Sequence, residues 1–99
     1  MKALAVPLFQ AGRVEDAFHL FSKAHSVLVL GEVKDCDEQK ATLCSNMAAC
    51  QLNKENHQHA KDLSLMALAL HPDLPKALYR LADASIGLKV SGLILYFLK

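Results

Sequence analysis

The sequence predicts an all-α protein, a superhelical stack of about two and a half antiparallel helical hairpins. Alanines and large apolar residues recur three and four positions apart, which is the spacing of an amphipathic helix. The segment that begins at Asn46 aligns with the segment that begins at Arg80 at an offset of 34 residues. A repeat of this length is typical of stacked helical hairpins, and the short connections favour antiparallel neighbours.

Glycine, proline and polar turn residues divide the chain into five predicted helices. We expect them over residues 2–11, 14–30, 39–53, 57–70 and 75–88. Gly12 and Gly31 are the stop signals of the first two helices, and Pro75 suits the first position of the fifth. Pro7 is unfavourable inside the first helix because it lacks an amide donor, unless the helix effectively starts near it.

Apolar faces on the middle three helices predict the core. The expected inward residues are Val14, Ala17, Phe18, Phe21, Ala24, Val27 and Leu28 on the second helix, Leu43, Met47, Cys50 and Leu52 on the third, and Ala60, Leu63, Ala67 and Leu70 on the fourth. An odd number of cysteines, without metal-type spacing, predicts free thiols in a reducing compartment.

Length and charge limit the possible functions. The chain of 99 residues suits one small domain, and a net charge of +1 gives no general attraction for nucleic acid or an anionic membrane. No signal peptide and no membrane-spanning run is evident, so we expect a soluble protein of the cytoplasm or nucleus without membrane insertion. Catalytic and phosphate-binding motifs are missing, so neither catalysis nor a cofactor is expected. His57 and His59 do not share a helix face, so no metal site is expected.

Small residues at regular positions resemble the tetratricopeptide repeat family, whose helices cross at alanines and whose repeat ends in proline. The matching positions are Ala48, Ala60, Ala67 and Pro72 in the middle repeat, Ala5, Ala17, Phe21 and Ala24 in the first, and Ala82 in the third. Gln51, Ser64 and Ser85 depart from the family pattern, because larger or aromatic residues are usual there.

The resemblance implies a single domain over residues 1–99 with unequal repeats. The first repeat covers about 1–31 and is incomplete at its start; an insertion over about 32–40 follows, because Ala17 and Ala60 are 43 rather than 34 residues apart. The second repeat covers about 41–74, a partial third about 75–88, and an apolar tail 89–99. A longer second helix is similar to the co-chaperone branch of the family, which includes the large immunophilins.

Lys76 and Arg80 lie four positions apart and therefore share a helix face. With Asn46 at the matching level of the preceding repeat, they resemble the carboxylate clamp of co-chaperone repeats. The resemblance implies binding of the C-terminal Glu-Glu-Val-Asp peptide of a cytosolic heat-shock chaperone, with Lys2 as a fourth clamp residue. Val6 stands where the clamp has an asparagine, and its side chain cannot donate a hydrogen bond.

Two residues are expected to form apolar walls for the peptide's valine, namely Leu43 and Met47. The alternative is a repeat fragment or scaffold that binds another protein through its groove or its apolar tail without a clamp. An enzyme is not expected, because the isomerase domain of large immunophilins does not fit within 99 residues.

Overall fold

The computed structural model describes the backbone of residues 7–98 and the side chains of residues 7–90. This part of the chain is all-α, as the sequence predicts, and its helices pack as antiparallel hairpins without a strand between residues 7 and 98. The described part of α1 is residues 7–10; it is followed by α2 (Val14–Leu30), α3 (Asp37–Asn53), α4 (His57–Leu70) and α5 (Pro75–Leu98).

Helix α3 is the centre of the stack, because it packs against α2, α4 and α5. Its buried residues are Ala41, Leu43, Cys44, Ser45, Met47, Ala48, Cys50 and Gln51. A helix surrounded in this way has no single inward face, so the apolar period identified only part of its buried surface. Leu52 is half-buried instead of lying in the core as expected.

Most of the described alanines that match the repeat pattern are fully buried. Ala17, Ala48, Ala60 and Ala67 are 0% exposed, whereas Ala24 is half-buried and Ala82 is exposed. A side chain this small lets helix axes approach to about 8–10 Å. Val27 departs from the predicted stripe of α2, because its side chain is 55% exposed near the end of that helix.

Two polar residues inside the stack, Ser64 and Gln51, form hydrogen bonds with nearby residues. The Ser64 hydroxyl donates to the Ala60 carbonyl at 2.8 Å, and the Asn56 amide donates to the Gln51 side-chain oxygen at 2.8 Å. These bonds explain how Ser64 and Gln51 are accommodated in the interior, since a buried polar group is costly only when unpaired.

Three helix ends close with the same backbone motif. The residue after each C-cap has a positive φ: 85° at Gly12, 50° at Glu32 and 62° at Glu55. At Gly12, its amide bonds to the Phe9 carbonyl and the next amide to the Leu8 carbonyl, which is a Schellman closure. Gly31 is the C-cap of α2, where the sequence predicts the helix to end, but its own φ is −78° and the positive φ falls on Glu32, the next residue.

Helix α5 is longer than the sequence predicts. It runs without interruption to Leu98, so the prediction that it ends at residue 88 is wrong, and Gly87 and Gly92 lie within it. Gly87 packs against the imidazole ring of His57, where a Cβ would overlap the ring. The glycine therefore serves a close contact between α5 and the start of α4 and does not end the helix. None of the helices within the described range has the length and apolarity needed to span a membrane.

Candidate binding cleft

A cleft of about 240 Å³ opens where α1, α2, α3 and α5 come together. Its apolar part is formed by Phe9, Phe21 and Ala49. Its polar part is formed by Gln10, Asn46, Lys76 and Arg80. These side chains include two cations and two carboxamides but no carboxylate, so the cleft is suited to a ligand that carries negative charge and hydrogen-bond acceptors.

Arg80 is fixed in the cleft by a hydrogen bond between helices. Its Nε donates to the backbone carbonyl of Ser45 on α3 at 2.9 Å. A guanidinium has five N–H donors, so this bond leaves four for a ligand or solvent. The Arg80 side chain thus reaches the ligand site already positioned by α3.

Partial burial changes the electrostatics of Arg80. Desolvation lowers the pKa of the guanidinium, while Tyr79, Asp83 and Cys50 act in the opposite direction. Arginine stays protonated in proteins, so Arg80 presents a positive charge that is poorly hydrated. The electrostatic attraction between such a charge and an anionic ligand is stronger than for a fully exposed charge, because solvent screens it less.

Lys76 lies in the first turn of α5 and is exposed. It also borders a neighbouring cleft of about 300 Å³, with Thr42, Ser45, Leu74 and Pro75. The Ser45 hydroxyl in that wall is buried and has no hydrogen-bond partner among residues 7–90. Lys76 therefore lines both depressions.

Neither Lys76 nor Arg80 forms a salt bridge within the part of the chain that the structure describes. The two salt bridges among residues 7–90 join Arg13 to Asp16 and Lys54 to Glu15, away from the cleft lining. The side-chain hydrogen bonds found in the same range do not use the Asn46 amide. The charged groups of Lys76 and Arg80 and the amide of Asn46 are therefore available to a ligand.

The structure brings Asn46, Lys76 and Arg80 to one cleft, as the register of the repeats predicts. Lys2 and Val6 lie outside the described residues. Leu43 and Met47 are corrected: they are 5% and 4% exposed and belong to the core, so they do not form walls of this cleft.

Two lining residues were missed by the sequence reasoning, namely Phe9 and Gln10 at the end of α1. A signal for Gln10 is present in the sequence, because it follows Val6 by four positions and four-residue spacing keeps residues on one helix face. For Phe9 the sequence offers only its apolar character, which is equally typical of core.

Other reactive side chains do not form a site in the described part of the chain. Within it, no group of three or more His, Cys, Asp or Glu residues is placed to hold a metal ion. The cysteines are unpaired and buried. Burial raises the pKa of Cys44, and it raises that of Cys50 to about 11 against the smaller opposing effects of Arg80 and Lys54. These thiols are therefore protonated at neutral pH and weakly nucleophilic.

Comparison with known proteins gave no match to any family model, curated protein or solved structure. The fold and the cleft nevertheless define a class: an all-α stack of helical hairpins with a cleft between helices that is lined by two cations and, among the described residues, by no carboxylate.

Proposed function

We propose that this chain is a protein-interaction adaptor of the tetratricopeptide repeat type that binds an acidic C-terminal peptide. Asn46, Lys76 and Arg80 are the binding residues, with Lys2 contributing from the start of the chain. The observation that carries the proposal is the cleft itself, where two cations and two carboxamides face a common space with no acidic lining residue.

The cationic pair on α5 accounts for selection of a carboxylate. Lys76 and Arg80 are one helical turn apart, so they repel each other slightly when nothing lies between them. A bound carboxylate removes that repulsion and accepts charge-assisted hydrogen bonds, which are roughly twice as strong as neutral ones. Asn46 adds a neutral donor from α3.

A chain terminus suits this cleft better than an internal acidic residue. A C-terminal aspartate carries two carboxylates on one residue, which matches two cations one turn apart. Capture of a terminal carboxylate is an established mode of peptide recognition. We therefore propose the Glu-Glu-Val-Asp terminus of a heat-shock chaperone as the partner, which makes the protein a co-chaperone of the cytoplasm or nucleus.

The decisive experiment compares two peptides by calorimetry, one with a free Glu-Glu-Val-Asp terminus and one with an amidated terminus. We expect measurable binding of the free acid and binding at least about tenfold weaker for the amide, since one charged hydrogen-bond acceptor is lost. Equal affinities, or no binding of the free acid at about 100 μM, a concentration equivalent to about −5.5 kcal/mol, would refute the clamp.

Two charge-reversal variants test whether peptide binding depends on the cleft. Arg80→Glu should abolish binding of the free peptide. Lys34→Glu changes the net charge equally at an exposed position in the loop before α3 and should leave binding unchanged. Helical circular dichroism must be the same for both variants. If both weaken binding equally, the attraction comes from the overall charge and not from this cleft.

A second candidate function is binding of another protein without a clamp. It is supported by an apolar row on α5, where Leu78, Ile86 and Val90 are 49%, 60% and 47% exposed. Side chains of the apolar tail beyond Val90 lie outside the described residues. This alternative is favoured if Leu78→Glu and Ile86→Glu together abolish capture of a partner that Arg80→Glu still binds.

A further inference from the structure

We infer that Gln10 is a ligand-binding residue of the cleft, donating a hydrogen bond from α1 to a carboxylate of the bound peptide. This inference rests on the proposed function. It assigns the α1 side of the cleft a donor even though Val6, the residue at the expected donor position, has none.

The backbone around Gln10 is held in place by the closure of α1. The Ala11 amide bonds to the Pro7 carbonyl at 2.9 Å, and the Arg13 amide bonds to the Leu8 carbonyl at 2.8 Å. Gln10 is the last helical residue before this turn, and its side chain is exposed at the cleft. A donor on such a fixed backbone loses less freedom on binding than one on a mobile loop.

A carboxylate bound in the cleft could accept a hydrogen bond from α1 in addition to those from α3 and α5. An ionised carboxylate offers about four lone-pair sites on its two oxygens. The cations reach the cleft from α5 and the Asn46 amide from α3, whereas Gln10 reaches it from α1. Its amide nitrogen has two N–H donors, and none of the side-chain hydrogen bonds found in residues 7–90 involves it.

Gln10 follows Val6 by four positions in the sequence, a spacing that corresponds to about one turn, or about 6 Å, of a helix. The Gln10 amide is neutral, so it would contribute a directional hydrogen bond and no net charge. Loss of Gln10 should consequently weaken binding without changing the dependence of binding on salt.

The test uses Gln10→Ala and Gln10→Glu in the full chain, with the free Glu-Glu-Val-Asp peptide as the probe. Gln10→Ala should weaken binding by about tenfold, near the lower limit for loss of a hydrogen bond to a charged group. Gln10→Glu should weaken it further, because it replaces the donors with a negative charge of nearly the same shape. Gln58→Ala and Gln58→Glu are matched controls on the exposed surface of α4 and should leave the affinity unchanged.

Two further measurements separate this inference from the proposed function. For Gln10→Ala, the slope of log Kd against log salt should equal that of the wild type, whereas Lys76→Ala should flatten it, because only charged contacts are screened. In the wild type, the side-chain amide resonances of Gln10 should shift when the peptide is added. This spectrum gives an answer even if a variant folds poorly.

The outcomes can be told apart. Wild-type affinity for Gln10→Ala, or no shift of the Gln10 amide resonances, overturns the role of Gln10 while the preference for the free terminus remains. Equal binding of free and amidated peptides overturns the proposed function instead.

Discussion

Arg80 on α5 donates from Nε to the backbone carbonyl of Ser45 on α3 at 2.9 Å, across 35 positions of sequence. The bond connects the central helix of the stack to the helix that carries both cleft cations. Arg80 therefore both bonds to α3 through its Nε and lines the cleft.

Arg80→Lys keeps the positive charge but removes the Nε donor. We expect the free energy of unfolding to fall by about 1 kcal/mol, the net value of one hydrogen bond, as measured by urea denaturation. Peptide binding should also weaken, because a lysine lacks the fixed fork of a guanidinium. Lys76→Met is the comparison: Lys76 is exposed, so this change should reduce binding while leaving the urea midpoint within error.

Replacing the left-handed glutamates with glycine should stabilise the fold. Glu32 and Glu55 have φ values of 50° and 62°, which are unfavourable for a side chain with a Cβ. Each glycine substitution should raise the free energy of unfolding by about 0.5–1 kcal/mol, measured by thermal or urea unfolding. The opposite control is Gly12→Ala, at a φ of 85° with open space around it, which should destabilise by about 1 kcal/mol through backbone strain alone. No gain from either glutamate change would show that these backbone conformations carry no strain.

Gly87→Ala should destabilise the fold, although alanine is the better helix former by about 1 kcal/mol. The added methyl would overlap the His57 ring, and overpacking of this kind costs about 1–3 kcal/mol. His57→Ala removes the obstacle, and the Nδ1 atom it deletes is buried without a partner within residues 7–90. The double variant should therefore be more stable than Gly87→Ala alone. If the changes in unfolding free energy of Gly87→Ala and His57→Ala simply add in the double variant, the contact between the two residues is contradicted.

Ionisation of the Cys50 thiol should lower the free energy of unfolding in alkaline solution. Burial raises its pKa from 9.0 to about 11, so the folded state binds the thiol proton more tightly than the unfolded state does. This contribution is complete below pH 9 and decreases as pH rises toward 11. The difference in unfolding free energy between wild type and Cys50→Ala should accordingly shrink across that interval. A constant difference would show that the thiol titrates normally in the folded protein.

The boundaries of α2 and α4 could be predicted from the sequence because their signals are local. Gly31 follows α2, and the turn residues around Asn56 precede α4. The sequence placed the start of α3 two residues late, at residue 39 rather than Asp37. The predicted end of α5 at residue 88 is wrong for a different reason: Gly87 lies within the helix and faces the His57 ring of another helix. A glycine that allows a close contact and one that ends a helix look the same in a single sequence.

The sequence by itself determined the all-α hairpin fold and the one-turn spacing of Lys76 and Arg80, since both depend on residues near each other along the chain. Only the tertiary structure decided which side chains share the cleft. In the structure, Gln10 and Phe9 line the same cleft as Asn46, whereas Leu43 and Met47 lie in the core. Helical periodicity fixes the face of one helix, but neighbours across helices depend on how α1, α3 and α5 pack against one another.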